Sequence, residues 1–579
     1  MRIPVLICCI SLFAVKPVFT QPLAATDGLG RTLLQNNAVG EPRTNRHVAL
    51  FYFLWQGDKG SPTSPNSWDL SELYAKHPEV FEDADNLNWG GAKGTYYYWG
   101  KPIYGYYRGD DYWVHLRNIQ LLTDAGVDLL VIDATNKLSY PQQSEVLMKA
   151  MDAVRVQKKN PPKIVFYTNT ASGETINEIY ELFYKEGAPY RHPDCWYYLD
   201  GKPLVIGVTK ETKGKPYEHF FTFRESQWPT VPQVINGWPW ISFTRKPEVH
   251  YNARGEKEII NVSVAQHPNP TAGMGGSAFY GNTDNWGRSY RNNSPGNPAT
   301  DIRYGYNFQE QWDYALAEDV PFIFVTGWNE WIAGRWKSHD SNPKHSWFCD
   351  QASPEFSRDI EPSLTAGLDD HYYMQLVNNI RRYKGIEKNS VDHGFISIRN
   401  MGDWHKVKNV YTDYTGDTEH RNHPGAQSSP VTIYKNETGR NDFQFLKVAR
   451  DQHNLYFFAS TVNEIDKPVD ENWMTLWIDA DKQSITGWNG YDYRIIRGNI
   501  LQHYDKGKWQ TVNANQVIYS VEKNQLMITV PIQLLPLISK PLSFEFKWSD
   551  NMQKPDPLDW YINGDAAPGG RFNFQYTSM

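Results

Sequence analysis

Seven short apolar runs recur between residues 47 and 328, each followed at once by polar or aromatic residues. They are HVALFYFLW (47–55), VDLLVIDAT (127–135), KIVFYTNT (163–170), KPLVIGV (202–208), WPWISF (238–243), IINVSVAQH (259–267) and VPFIFVTGW (320–328). Runs this short and this unbroken read as strands buried on both faces, the habit of a parallel sheet. Between them lie stretches of helical spacing: YWVHLRNIQLLTDAG (112–126), closed by a glycine, QSEVLMKAMDAVRVQKK (143–159) and DDHYYMQLVNNIRRYKG (369–385). Strand–helix alternation from about residue 45 to 386 predicts an α/β fold, a (β/α)8 TIM barrel in preference to an open sheet. No glycine-rich nucleotide fingerprint follows any run, which weighs against the open sheet.

Past Gly385 the helical period disappears. FQFLKVARD (443–451), NLYFFASTV (454–462), WMTLWIDAD (473–481), YDYRIIRGN (491–499), QLMITVPI (525–532) and SFEFKWSD (543–550) are short strands separated by turn residues, the spacing of a β-sandwich. The 579 residues exceed the size at which a single core stops growing, so two domains are expected. The division predicted is 1–20 as a secretory signal, 21–390 as a barrel and 391–579 as a C-terminal β-sandwich. The signal rests on Arg2, the apolar stretch IPVLICCISLFAV and a cleavage site before Gln21. That stretch is too short to span a bilayer, and no later segment is apolar enough to do so. The chain is therefore expected to be secreted or periplasmic. Of the cysteines only Cys195 and Cys349 would remain, either as one disulfide or as two core thiols, and neither has metal-ligand spacing.

The 22 Trp, 36 Tyr and 26 Phe make up 15% of the chain, more than cores alone require. Rings with an apolar face and a polar edge suit wet, sticky surfaces such as carbohydrate sites. A net charge of −7 without a basic stripe argues against nucleic acid.

In a (β/α)8 barrel the reacting groups sit at the C-terminal ends of the strands. Those ends carry Tyr52 and Trp55, then Asp133, then Asn169, then Trp238, then Gln266 and His267, then Trp328, Asn329, Glu330 and Trp331. Amides and carboxylates bind hydroxyls, and indoles cover the apolar face of a sugar ring; lysine is nearly missing from the rim. Glycoside cleavage needs two carboxyl groups flanking the bond. Glu330 and Asp133 are the acids at the ends of strongly predicted strands and form the expected catalytic pair, although Asp133 could instead cap the following helix. His267 reads as a hydroxyl-binding residue.

GYYRGDDYWVHLRNIQLLTDAGVDLLVID (105–133), WNEW (328–331) and FSRDIEP (356–362) together resemble segments of the glycoside hydrolase family 99 and WbsX-like barrels. The resemblance implies a retaining α-glycan hydrolase that uses a metal-independent carboxylate pair, so no catalytic cofactor, and it brings Glu361 into the substrate site. The family pattern runs Asn-Glu-Trp-x-Glu-Gly, whereas here Ala333 stands in the place of the second glutamate. The partner of Glu330 then has to be Asp133, Asp359 or Glu361, or the chain binds glycan without cleaving it. WIDADKQSITGWNGYDYRI (477–495) is similar to family 9 carbohydrate-binding and DOMON-like modules. There Asp479 and Asp481 form an acidic turn that could hold Ca2+ through oxygen ligands. Trp473, Trp488, Trp548 and Trp560 are that domain's candidate sugar-binding rings, with core packing the alternative. The expectation is a secreted glycoside hydrolase acting on a complex polysaccharide; the alternative is a catalytically inactive glycan-binding protein.

Overall fold

The first apolar run becomes β1, His47–Tyr52, and it is flanked by parallel partners on both sides. The computed structural model describes residues 22–57, 68–268, 285–337, 346–348, 353–428, 431–466, 470–512, 515–537 and 539–579. The expected signal segment and Cys349 lie outside these. Among the described residues no helix is long and apolar enough to cross a membrane.

Seven further parallel strands follow: β2 Leu129–Ala134, β3 Lys163–Thr168, β4 Lys202–Gly207, β5 Thr222–Gln227, β6 Gly237–Pro239, β7 Lys257–Ser263 and β8 Phe322–Thr326. Their order is β7–β8–β1–β2–β3–β4–β5–β6, a nearly closed barrel-like sheet edged by a short antiparallel strand, Val249–Tyr251, on β7. The ring lacks a backbone ladder only between β6 and β7. There Asn261 donates to the Pro239 carbonyl (2.7 Å) and the Trp238 indole to Glu258 (2.9 Å), which also pairs with Arg224 of β5. Helices α1 Tyr112–Ala125, α2 Pro141–Arg155, α3 Ser172–Ile179, α4 Tyr306–Glu318 and α5 His371–Lys384 follow β1, β2, β3, β7 and β8. β4, β5 and β6 are joined by short segments instead, so the helical layer is incomplete on that side.

Alternation along β1 sorts its side chains. Val48, Leu50 and Tyr52 join the cluster beneath the helices, whereas Ala49 and Phe51, with Phe53 just beyond, fill the barrel with Val131, Tyr167 and Phe324. Each such fully buried apolar side chain contributes about 1.5–3 kcal/mol. α1 begins where the Asp111 carboxylate accepts from the Val114 amide and ends at Gly126 in the left-handed region (φ 81°).

The C-terminal region holds a five-stranded and a seven-stranded antiparallel sheet that share one apolar core, built from residues such as Phe457 and Ile528 on one sheet and Leu476 and Phe546 on the other. Trp473 and Trp548 are wholly buried in it, while Trp488 is half-buried and belongs with Trp560 to a separate aromatic cluster. The hairpin Arg421–Ser428 and Val431–Asn436 lies against the barrel: Arg421 forms a buried ion pair with Asp111 (2.7 Å), and Tyr434 accepts from the Tyr106 amide (2.8 Å).

Candidate active site

Beyond β8 the chain turns sharply at Gly327, whose φ of 94° lies in the left-handed region that glycine tolerates. A Cβ there would stand 2.5 Å from the Arg358 carbonyl oxygen, so the β8 end and the 356–362 segment meet through a bare backbone. The Trp328 carbonyl accepts from the amides of Ile360 (3.0 Å) and Glu361 (3.2 Å), which locks the two segments together. Gly327→Ala is expected to lower stability by about 1–3 kcal/mol through backbone strain, read as a fall in the thermal midpoint; an unchanged midpoint would contradict the contact.

This turn brings Glu330 against Arg358, with Oε2 2.7 Å from Nη2; the Glu330 side chain is 10% exposed and that of Arg358 2%. The guanidinium also reaches His267 Nδ1 (3.2 Å) and lies over the Trp240 ring (5.2 Å). Phe243 and Trp240 border His267, and Trp228 extends the aromatic wall from Trp240. A carboxylate, a guanidinium, an imidazole and three aromatic side chains thus converge at the C-terminal mouth of the barrel.

Asp133 stands at the end of β2, paired in register with Tyr167, whose ring is in the barrel interior. Its Oδ1 accepts from the Thr135 amide (2.9 Å), a local turn; α2 begins after Tyr140 with no side-chain cap. Asn169 is half-buried at the end of β3 and accepts from Ser226 Oγ (3.0 Å), which places β5 at the rim. Trp55 lies half-buried at the end of the first run, edge-on to Tyr96.

The other rim residues predicted from sequence are placed differently. Tyr52 points outward to the helices, its hydroxyl 2.9 Å from His115 Nδ1, because its position in the alternation is that of Leu50. Asn329 is a fully buried clasp: its amide accepts from Phe53 N (2.9 Å) and donates to Phe53 O (3.1 Å) and to the Tyr107 hydroxyl (3.1 Å). Gln266 is committed to the Ser242 carbonyl, Gln311 and Asn307. Trp328, Trp331 and Trp238 are fully buried, Trp331 against Tyr98, Tyr106 and Tyr107. These residues hold the rim in shape rather than face its opening. Trp240 joins the strand-end residues at the rim, and Arg358, Phe243 and Trp228 occupy the places that a reading of strand ends alone did not assign.

Glu361 is buried behind the rim, where its Oε2 accepts from the Tyr107 hydroxyl (2.9 Å). Burial, reinforced by the nearby Asp359 charge, pushes its carboxyl well above the usual carboxylate range. Above the ordinary glutamate value the unfolded chain ionises this group while the folded chain keeps it protonated, so its contribution to stability falls as pH rises. Glu361→Gln, which keeps an acceptor for Tyr107, is expected to match wild type near pH 5 and to melt higher than wild type at pH 8; parallel midpoints across that range would overturn this.

Ala333 lies in a small second sheet, opposite Tyr97, and packs among Trp89, Trp99 and Phe348. In the C-terminal region, carboxylate oxygens of Asp479, Asp481 and Asp492 lie within 4.8 Å of one another, an all-oxygen set that fits a hard cation. Cys195 is a buried free thiol with Sγ 3.4 Å from the Asp152 carboxylate.

No family model matches the sequence, and no curated protein does. Two solved structures of a GH99 endo-alpha-mannosidase from Bacteroides thetaiotaomicron, one of them with bis-tris-propane, are similar at 13% identity. They cover 58% of this chain and 97% of theirs, with TM-scores of 0.34 and 0.33. A GH29 fucosidase variant from Ruminococcus gnavus in complex with fucose is similar at 10% identity over 88% of this chain and 95% of its own, with a TM-score of 0.21.

Proposed function

We propose that the chain is an exported glycoside hydrolase acting on a complex polysaccharide or glycan, with Glu330 and Asp133 as its reacting carboxyl groups. The observation that carries this reading is the Glu330–Arg358 pair (2.7 Å) at the C-terminal mouth of the barrel, beside Trp240 and Phe243. A carboxylate held by a guanidinium is prepared to attack an anomeric carbon or accept a proton, not to donate one. Asp133 would then serve the leaving-group oxygen. β8 and β2 flank β1, so their backbones stand about 10 Å apart at the rim. Glu330 stands four residues past the end of β8, beyond the Gly327 turn, and the reading requires its carboxyl to lie within the roughly 5–9.5 Å of Asp133 over which glycosidase pairs work. Trp55, Asn169, His267 and the Trp240 wall would bind the sugar, with Glu361 positioning the loop behind. No cofactor takes part in this chemistry; Asp479, Asp481 and Asp492 would hold a structural Ca2+ in a sandwich-like accessory domain.

The burial of Ala333 among aromatic rings favours a second reading, glycan binding without turnover, since no carboxylate stands in that place. Incubating the chain with a panel of neutral polysaccharides and measuring new reducing ends separates the two. Release from at least one supports hydrolysis; retention of a glycan with no release from any leaves binding alone.

A further inference from the structure

The seam between the C-terminal region and α1 contains four aspartates that the proposed chemistry does not use. One carboxylate oxygen from each of Asp417, Asp442 and Asp565 lies within 4.8 Å of the others. Asp413 is a fourth: only 6% exposed, it lines the same cavity as Asp417 and Asp565, and the charge it senses most strongly is that of Asp417. Its Oδ2 is buried with no hydrogen-bond partner, and so are Asp417 Oδ1 and Asp442 Oδ1. The remaining oxygens are fixed by the protein: Asp565 Oδ2 accepts from Phe443 N (2.6 Å), Asp442 Oδ2 from Gly416 N (2.8 Å) and Asp417 Oδ2 from Gln120 (3.3 Å). Asp417 and Asp442 are thus each held by one oxygen while the other is left over.

The basic side chains nearby do not serve those oxygens. Arg117 donates to the Asp417 backbone carbonyl, and Lys547 donates to the Pro568 carbonyl and lies over the Trp560 ring. Clustered buried charges that lack hydrogen-bonding partners strongly destabilise a fold unless they are paired or bound to a metal. The donors are all carboxylate oxygens, with no histidine or sulfur, which selects a hard cation. Calcium–oxygen distances of about 2.3–2.6 Å allow two ligands of one ion to stand up to about 5 Å apart, and the oxygens of Asp417, Asp442 and Asp565 meet that spacing.

We propose that Asp413, Asp417, Asp442 and Asp565 bind a calcium ion that fastens the segment lying over α1 to the two large sheets of the C-terminal region. Asp413 and Asp417 come from the segment that runs over α1, whereas Asp442 immediately precedes the Phe443–Arg450 strand of the five-stranded sheet and Asp565 opens the edge strand Asp565–Ala567 of the seven-stranded one. One ion therefore ties together three parts of the chain that are distant in sequence.

The full chain, stripped with chelator, is melted with and without millimolar CaCl2. Calcium is expected to raise the wild-type midpoint by several degrees. The Asp413→Asn/Asp417→Asn double variant should lose a large part of that shift and, relieved of two buried like charges, melt above the metal-free wild type. Asp481→Asn, which disables the other acidic turn, should keep a shift, and adding Asp413→Asn/Asp417→Asn to it should abolish that shift. Hydrogen exchange on wild type needs no variant to fold: calcium should protect amides around 412–418, 442–443 and 564–566. No calcium-dependent shift, a shift retained when all three aspartates are replaced, or protection confined to 479–492 overturns the proposal.

Discussion

Glu330→Gln is expected to reduce turnover by about three orders of magnitude on any polysaccharide the wild type cleaves, within the range of roughly 10²–10⁴ that a positioned acid–base group contributes. Glutamine has the same shape, and its amide oxygen can still accept from Arg358, so the Arg358–His267–Trp240 arrangement should survive. What is lost is the charge that would attack the anomeric carbon or take up a proton. Initial rates of reducing-end release should therefore collapse while calorimetric affinity for the same glycan changes less than about fivefold, because binding rests on rings and hydroxyl contacts that the variant retains. Turnover unchanged by the substitution would sink the assignment of Glu330, and a parallel loss of affinity would make it a binding residue.

Asp111→Ala should be the most damaging change far from the rim. Asp111 is 1% exposed; its Oδ2 accepts from Arg421 Nε (2.9 Å) and Nη2 (2.7 Å), and its Oδ1 from the first turn of α1. Truncation strands the Arg421 charge, itself buried, among the Trp113 and Tyr434 rings with only the Tyr104 carbonyl as acceptor. Breaking one side of a buried pair costs about 3–5 kcal/mol, and the lost cap about 1 kcal/mol more. Asp111→Ala with Arg421→Met should recover a large part of that, because no charge is then left behind. Chemical denaturation of the two variants beside wild type measures this; a single variant within about 1 kcal/mol of wild type would mean the pair does not couple the hairpin to the barrel.

Much of the barrel was legible because seven strands are apolar on both faces and stand out as unbroken runs. β5, Thr222–Gln227, was not: its sequence TFRESQ places Arg224 in an ion pair with Glu258 and Ser226 at the rim, so it has no apolar signature. α4, Tyr306–Glu318, escaped for a related reason: Asn307 and Gln311 are buried polar side chains that interrupt its apolar face. At the rim, acids at strand ends located Glu330 and Asp133. A strand apolar on both faces carries no phase, and so Tyr52 could not be told from Phe51 without the sheet. Arg358 was hidden because it reaches Glu330 from a segment 28 residues downstream that contains no strand. The same holds for the four seam aspartates, which come from three parts of the chain distant in sequence and meet only in the folded chain.

The missing ladder between β6 and β7 has a mechanical consequence. A closed barrel resists deformation because every strand is stitched to two neighbours, whereas between β6 and β7 this ring is joined by the side chains of Asn261, Trp238, Arg224 and Glu258 and, through the short Val249–Tyr251 strand, by one backbone bond from Asn236 N to the Tyr251 carbonyl (2.9 Å). Side-chain links yield more readily than a run of backbone bonds, so the wall is most compliant there. Trp240, which follows β6, covers Arg358 from that yielding edge. On the proposed function, the aromatic side of the mouth would be the part that adjusts to a bound glycan, within the tether from Thr326 Oγ1 to the Trp240 carbonyl, while Glu330, anchored through Asn329 to the stiff β1–β8 side, keeps its place.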